Sequence, residues 1–147
     1  MKTFESSIEV DASAQALFDL TQDYDLRLSW DPFLCEARLL DGATAAGLGV
    51  RAWCVARAPR VGMETEYVSF NPPRVAAVKM TRGPWVFESF AGSWRFDELS
   101  PGRTRVTFRY SLTTRPAALR PVVAAVFNRE MRQRLAGLKA MMERPAS

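Results

Sequence analysis

The strongest constraint on how this chain folds lies near its C-terminal end, in residues 121–142 (PVVAAVFNREMRQRLAGLKAMM). Val123, Phe127, Met131, Leu135, Leu138 and Met142 recur at steps of three and four, which places them on one stripe of an α-helix. Asn128, Arg129, Arg132, Gln133, Lys139 and Glu143 occupy the opposite side. At about 1.5 Å per residue the helix is roughly 33 Å long, so it needs an apolar surface of similar length to lie on. Residues 34–114 read as strands, and the surface they offer is a β-sheet.

Residues 2–10 alternate, with Phe4, Ser6, Ile8 and Val10 on the core side of a first strand. Asp11 and Ser13 are both competent N-caps for a helix over AQALFDLTQ, whose Ala14, Leu17, Phe18 and Thr21 share a face. Residues 24–30 predict a second short helix that ends before Pro32. The strands 34–40 and 48–57 flank the loop DGATAAG; the first puts Cys35, Ala37 and Leu39 on one face, the second Val50, Ala52, Cys54 and Ala56 on one face, and the two apolar faces coincide. Pairing Asp41 with Leu48 sets Leu39 opposite Val50 and Cys35 opposite Cys54. Both faces are lined with small residues, which leaves room above the sheet.

Strands over 61–70 and 75–80 meet at the turn Asn71-Pro72-Pro73. Met63, Thr65 and Tyr67 oppose Glu64, Glu66 and Val68, a pattern that leaves the inward face open; Ala76, Val78 and Met80 share a side in the next strand. In the last hairpin, Trp94 and Phe96 face the same way as Thr104, Val106, Phe108, Tyr110 and Leu112 only if the connection within LSPGR (99–103) has odd length. Trp85 and Phe87 have the opposite parity to Trp94. Either both faces are covered there or a bulge near Ala91-Gly92 flips the register, and the bulge is the reading we prefer.

Composition narrows the chemistry. With 48% hydrophobic and 24% charged residues and no run of apolar residues long enough to span a bilayer, residues 1–147 are expected to form one soluble globular domain without an integral membrane segment. Residues 1–10 carry no apolar stretch of the kind that directs export, so a cytoplasmic location is expected. The formal charge of +4 conceals an asymmetry: the first 36 residues hold eight acidic and two basic side chains, and the remainder is strongly basic. Arg51, Arg57, Arg105 and Arg109 alternate with apolar residues as the solvated side of strands does, so no nucleic-acid partner is expected. The basic excess permits a peripheral membrane contact without requiring one. The absence of histidine removes Ser/His/Asp triads, Cys/His dyads and His-containing metal sites, and no metal is expected. No dinucleotide-binding or P-loop glycine pattern occurs, so no cofactor is expected either. Cys35 and Cys54, opposed, fall within disulfide reach, but without an export signal two reduced, buried thiols are the expectation.

The order β, α, α, six β and one long helix, together with Gly83-Pro84-Trp85, Phe90-Ala91-Gly92-Ser93-Trp94-Arg95-Phe96 and the segment GRTRVTF (102–108), resembles the START and birch-pollen-allergen-like superfamily, often called SRPBCC, in its polyketide cyclase/dehydrase and coenzyme Q-binding branch. The resemblance implies an α+β helix-grip fold, with a curved antiparallel sheet of about seven strands around the C-terminal helix. It also implies an apolar cavity between the two that holds a lipid, an isoprenoid or quinone, or a polyketide-like molecule. Cys54, Met63, Tyr67, Met80, Trp94, Phe96, Phe108, Tyr110, Phe127 and Met131 are the candidate ligand-binding residues.

Two functional readings follow. One is a binding or carrier module for a hydrophobic small molecule, which needs only the cavity. The other is a cofactor-independent cyclase or dehydratase, which needs in addition convergent ionisable groups. For that reading Tyr67 and Tyr110 are candidate hydrogen-bond donors, Glu64, Glu66 or Glu88 a candidate base, and Arg82 or Arg95 a candidate anion stabiliser. Glu88 shares the parity of Trp94 and points inward if no bulge intervenes. Neither the ligand nor the oligomeric state is fixed by these features.

Overall fold

The computed structural model describes residues 3–57 and 60–144. Strand β1 (Thr3–Val10) leads into helix α1 (Ala14–Gln22) and a single 3-10 turn at Arg27–Ser29. Six strands follow: β2 (Leu34–Leu39), β3 (Arg51–Ala56), β4 (Gly62–Asn71), β5 (Val75–Arg82), β6 (Phe87–Ser100) and β7 (Arg103–Thr114). A second 3-10 turn, Ala117–Leu119, then delivers the chain into helix α2 (Arg120–Met142). All seven strands form one antiparallel sheet in the order β1-β7-β6-β5-β4-β3-β2, curled around α2 in a helix-grip arrangement. The expected start of the first strand at Lys2 lies outside the described residues.

Local chemistry accounts for the elements. The Ser13 hydroxyl accepts from the Ala16 N–H at 3.1 Å, so Ser13 and not Asp11 is the N-cap of α1. Helix α1 buries Ala14, Leu17, Phe18, Thr21 and also Gln22. The second expected helix shrinks to the 3-10 turn, because Arg27 and Asp31 turn inward there instead of continuing a polar helical face. On α2 the expected stripe is buried through Met131, Leu135 and Leu138, with Val123, Phe127 and Met142 packed against the same core.

The ladder steps by one residue at five places, two of them between β4 and β5, and the three in β2 and β6 decide where the expected faces fall. In β6 the register steps between Phe87 and Ser89, so the bulge sits at Glu88, three residues before the expected place. It turns Phe87 inward beside Trp94 and Phe96, and leaves Glu88 exposed. The last hairpin closes through Pro101-Gly102, a tight connection and not an odd-length loop, with Gly102 at φ 78°. The odd count is supplied by a step between Glu98 and Ser100 in the strand itself, which still aligns Trp94 with Phe108 and Phe96 with Val106. In β2 a step between Leu34 and Glu36 displaces the expected pairing: Ala37, and not Cys35, faces Cys54, and Leu39 faces Ala52. Leu34 is thereby buried, and both cysteines remain free.

The C-terminal end of α2 is tied to the start of the chain. Lys139 Nζ donates to the Glu9 carbonyl at 2.8 Å, and Glu143 Oε2 accepts from the Asp11 N–H at 2.8 Å. Between these ties and the cavity, Gly137 brings α2 against the backbone of residues 30–32. A Cβ at Gly137 would stand 2.4 Å from the Trp30 carbonyl oxygen and 3.0 Å from Pro32 Cδ. Alanine favours a helix interior over glycine by about 1 kcal/mol, but overpacking against backbone costs about 1–3 kcal/mol. We expect Gly137→Ala to lower the thermal midpoint, by up to roughly 8 °C, measured by circular dichroism; an unchanged or raised midpoint would show that the 30–32 segment moves away freely.

Candidate functional site: a cavity with one charged end

Between the concave face of the sheet and α2 lies a cavity of about 320 Å³. Cys54 and Ala56 of β3, Met63, Thr65 and Tyr67 of β4, Val78 of β5, Phe87, Phe90 and Trp94 of β6 and Phe108 of β7 form its sheet side. Val123, Phe127 and Met131 form its helix side. The small residues of β3 leave the volume open, whereas the aromatic residues of β6 and β7 fill the space beyond it. Val61, Pro84, Val122 and Val126 line the mouth, where Val61, Val122 and Val126 are exposed.

The opposite end is polar. Tyr67 Oη donates to Gln22 Oε1 at 2.6 Å, so the 3.1 Å contact between the Tyr24 and Tyr67 hydroxyls is a bond donated by Tyr24. Gln22 Nε2 donates onward to Thr21 Oγ1 at 2.8 Å, and that hydroxyl donates to the Phe18 carbonyl. The chain therefore has one direction, and its cavity end, Tyr24 Oη, retains acceptor capacity with its proton already committed. Burial raises the Tyr24 phenol above its usual value and the Tyr67 phenol well above it, so both stay neutral near pH 7.

Beside the tyrosines stand two buried guanidiniums and one buried carboxylate. Arg27 Nε donates to Asp31 Oδ2 at 2.8 Å, and Arg27 Nη1 donates to the Thr21 carbonyl at 3.0 Å. Arg134 Nε, from α2, lies 3.0 Å from the same Asp31 Oδ2, but its N–H does not point along that line and makes no hydrogen bond. Asp31 Oδ1 accepts from the Phe33 N–H at 3.1 Å. Aromatic faces take the place of solvent around both cations: Arg27 packs over Tyr24, Trp30 and Trp94, and Arg134 over Phe33, Trp94 and Phe108, at 4.9–5.8 Å from the ring centres. Burial alone would raise the Asp31 carboxyl, but the two guanidiniums outweigh it and hold the group below the usual range. Burial and the Arg27 charge together lower Arg134 from its usual value, and Asp31 offsets them only in part; the guanidinium remains cationic near neutral pH.

Asp31 is 1% exposed, so its neutralisation leaves two uncompensated buried cations. We expect Asp31→Asn to destabilise the fold by about 3–5 kcal/mol. Because the folded carboxyl titrates below its unfolded value of about 3.9, its contribution is complete above that pH and is lost as pH falls through the lowered folded value. Urea unfolding between pH 7 and pH 3 should therefore show a steeper loss in the wild type than in the Asn variant; parallel profiles would contradict the assigned role.

Of the ten residues expected to contact a ligand, the structure brings Cys54, Met63, Tyr67, Trp94, Phe108, Phe127 and Met131 to the cavity wall. Three lie elsewhere. Met80 packs towards Gly83, where a Cβ would meet its Sδ at 2.6 Å. Phe96 stacks on Trp94 and against Phe18 in the solid part of the core. Tyr110 stacks between Phe4 and Phe90, and its hydroxyl, pushed up to about 12 by burial, donates to Asn128 Oδ1. Among the ionisable candidates, Glu88, Arg82 and Arg95 are exposed. Glu66 is half-buried away from the cavity, and Glu64 is buried on the outer face, bonded to Thr81 Oγ1 at 2.7 Å and Arg51 Nη1 at 3.4 Å. The groups that sequence reasoning missed are Gln22, Tyr24, Arg27, Asp31 and Arg134. One signal was present: Arg134 follows Phe127 by seven and Met131 by three, so it sits on the apolar stripe of α2.

The profile of the family described as polyketide cyclase / dehydrase and lipid transport matches residues 1–143. Among solved structures, the Zhui aromatase/cyclase from Streptomyces sp. R1128 superposes with a TM-score of 0.85 at 18% identity, over 97% of this chain and 94% of that one. A START superfamily protein from Mycobacterium smegmatis gives 0.82 at 13% identity, over 96% and 97% of the two chains. The di-domain ARO/CYC BexL from the BE-7585A biosynthetic pathway gives 0.75 at 18% identity, over 95% of this chain and 45% of that one. No curated protein sequence matches the chain. At these identities the structural likeness speaks for the helix-grip fold alone. Within the described residues no helix is long and apolar enough to cross a membrane. With the profile spanning both the sheet and the helix that enclose the cavity, the chain belongs to the polyketide cyclase / dehydrase and lipid transport family.

Proposed function

We propose that this chain binds a hydrophobic small molecule, a lipid, an isoprenoid or quinone, or a polyketide-like compound, in the cavity between the sheet and α2. The observation that carries the reading is the shape and chemistry of that cavity: a volume of about 320 Å³ with largely apolar walls, open at an apolar mouth, and with polar groups gathered at one end. A site of that kind holds an apolar body by burial and orients it by a few polar contacts. Burying apolar surface at roughly 25 cal/mol per Å² makes the walls the main source of affinity. The family description, which joins cyclases with lipid transport, supports the same reading, since both activities need an apolar guest. Cys54, Met63, Tyr67, Trp94, Phe108, Phe127 and Met131 are the wall residues that such a guest would touch.

A second reading, a cofactor-independent cyclase or dehydratase, draws support from one specific feature. The guanidiniums of Arg27 and Arg134 line the cavity beside Tyr24, which is the kind of arrangement that steadies a developing oxyanion. Under this reading Arg134→Met slows turnover of a poly-β-keto thioester more than it weakens its binding.

The binding reading is tested with the neutral dye N-phenyl-1-naphthylamine. We expect saturable fluorescence enhancement in the wild type and at least about a tenfold weaker response in Val78→Trp, whose indole occupies the cavity floor. Far-ultraviolet circular dichroism of the variant should be unchanged. A wild type that gives no enhancement would sink the proposal.

A further inference from the structure

The cavity is not charge-neutral at its inner end. Arg27 and Arg134 are 4% and 6% exposed and both line the cavity, yet they share the single carboxylate of Asp31. Oδ2 accepts from Arg27 and lies 3.0 Å from Arg134 Nε without accepting from it, and Oδ1 accepts from the Phe33 N–H. Arg27 alone would neutralise it. Arg134 is the surplus cation, and its donors are poorly served. Nε makes no hydrogen bond, and Nη1 meets only the Met131 thioether at 3.7 Å. The rings of Phe33, Trp94 and Phe108 surround this guanidinium within 6 Å. A guanidinium with one unmet N–H and another met only by a thioether favours a planar, two-oxygen acceptor. Glu130, one helical turn nearer the mouth, is the only carboxylate among the cavity-lining residues, and it forms no ion pair with either arginine.

We propose that the molecule bound in this cavity is an amphipathic organic acid, whose carboxylate docks against Arg134 and Arg27 at the inner end while its apolar body lies along Met131, Phe127 and the sheet. This rests on the reading of the cavity as a ligand site and specifies the ligand's chemical class. The bound carboxylate completes the charge balance of the cluster and accepts from the Arg134 N–H that the fold leaves without a partner. It also explains why the two arginines are enclosed by rings: a dry, aromatic surround strengthens a charge-assisted pair that water would weaken.

The test compares shape-matched probes that differ in charge: 2-naphthoate against 2-naphthalenemethanol, and decanoate against 1-decanol, by titration calorimetry at pH 7.5. The carboxylates should bind about tenfold or more tightly than the alcohols. An apolar pocket without an anion subsite gives the reverse order, because a carboxylate loses more hydration on entry. In Arg134→Met the preference should vanish while the neutral dye still binds, and the urea midpoint should be equal or higher, since Arg27 and Asp31 remain a balanced pair. Alcohols that bind as well as the acids in the wild type overturn the proposal, as does an acid preference that survives in Arg134→Met, which would assign it to surface cations. Dye binding with neither acid bound overturns it too, whereas failure of the dye and of every probe removes the ligand-site reading itself. Should Arg134→Met not fold, Arg134→Lys, which keeps the charge but not the planar fork, should show a reduced preference, and the wild-type comparison decides without it.

Discussion

One carboxylate, that of Asp31, joins parts of the chain that the sheet alone does not hold together. It is reached by Arg27 from the turn four residues before it and by Arg134 from a helix that begins only at Arg120. Isolated burial of any of these three charges would be prohibitive; burial of all three is tolerated because each stands within 3.0 Å of an opposite charge and against aromatic faces. The close approach requires that α2 press on the backbone next to Asp31, and the missing side chain at Gly137 is what permits it. Placement of the inner wall of the cavity thus depends on an ion cluster and on one glycine, and not on the apolar stripe alone.

The sheet imposes the second constraint, which is parity. Side chains alternate strictly along a strand, so each inserted residue exchanges the faces beyond it. The step at Glu88 brings Phe87 to the cavity, the step at Leu99 lets a tight turn align two inward faces, and the step next to Cys35 brings Leu34 inward. Without the step at Glu88, a carboxylate would enter the apolar volume and a phenyl ring would leave it. The sheet side of the cavity owes its inward set to such single-residue steps, which occur in the β2, β4/β5 and β6 pairings.

Much of this architecture was legible in the residues themselves, because periodicity is a local property. The stripe from Val123 to Met142, the alternation in β1 and the small residues of β3 each report the side that faces the core. The parity conflict between Phe87 and Trp94 was legible for the same reason and favoured a register change, but not its position, since any residue between them satisfies parity. Likewise the odd count in the last hairpin was legible, while its placement inside the strand was decided by Pro101-Gly102 closing as a tight turn. The site was legible only in its apolar half. Met80, Phe96 and Tyr110 have the correct parity yet pack beyond the open volume, because how far a cavity runs along a strand depends on the curvature of the sheet and not on alternation. The polar half was illegible for another reason: Arg27 and Asp31 lie in a short irregular segment with no period to read, and their partner Arg134 becomes meaningful only once the fold brings it to Asp31.

That partner is also where the energetics of the fold and of the site part company. For the fold, an Arg27–Asp31 pair suffices, and an apolar residue at position 134 would extend the stripe of α2 without a desolvation penalty of several kcal/mol. The observed cluster carries that penalty, with one N–H, at Arg134 Nε, that no protein atom accepts. An acceptor arriving with a ligand removes the penalty in the bound state alone, so the unmet charge appears as affinity and not as stability. By linkage, a guest bound only to the folded chain stabilises it by RT ln(1 + [L]/Kd), about 2.7 kcal/mol at a hundredfold excess over Kd. A cavity that is strained by its own charge when empty and relaxed when filled couples occupancy to folding through one residue, Arg134.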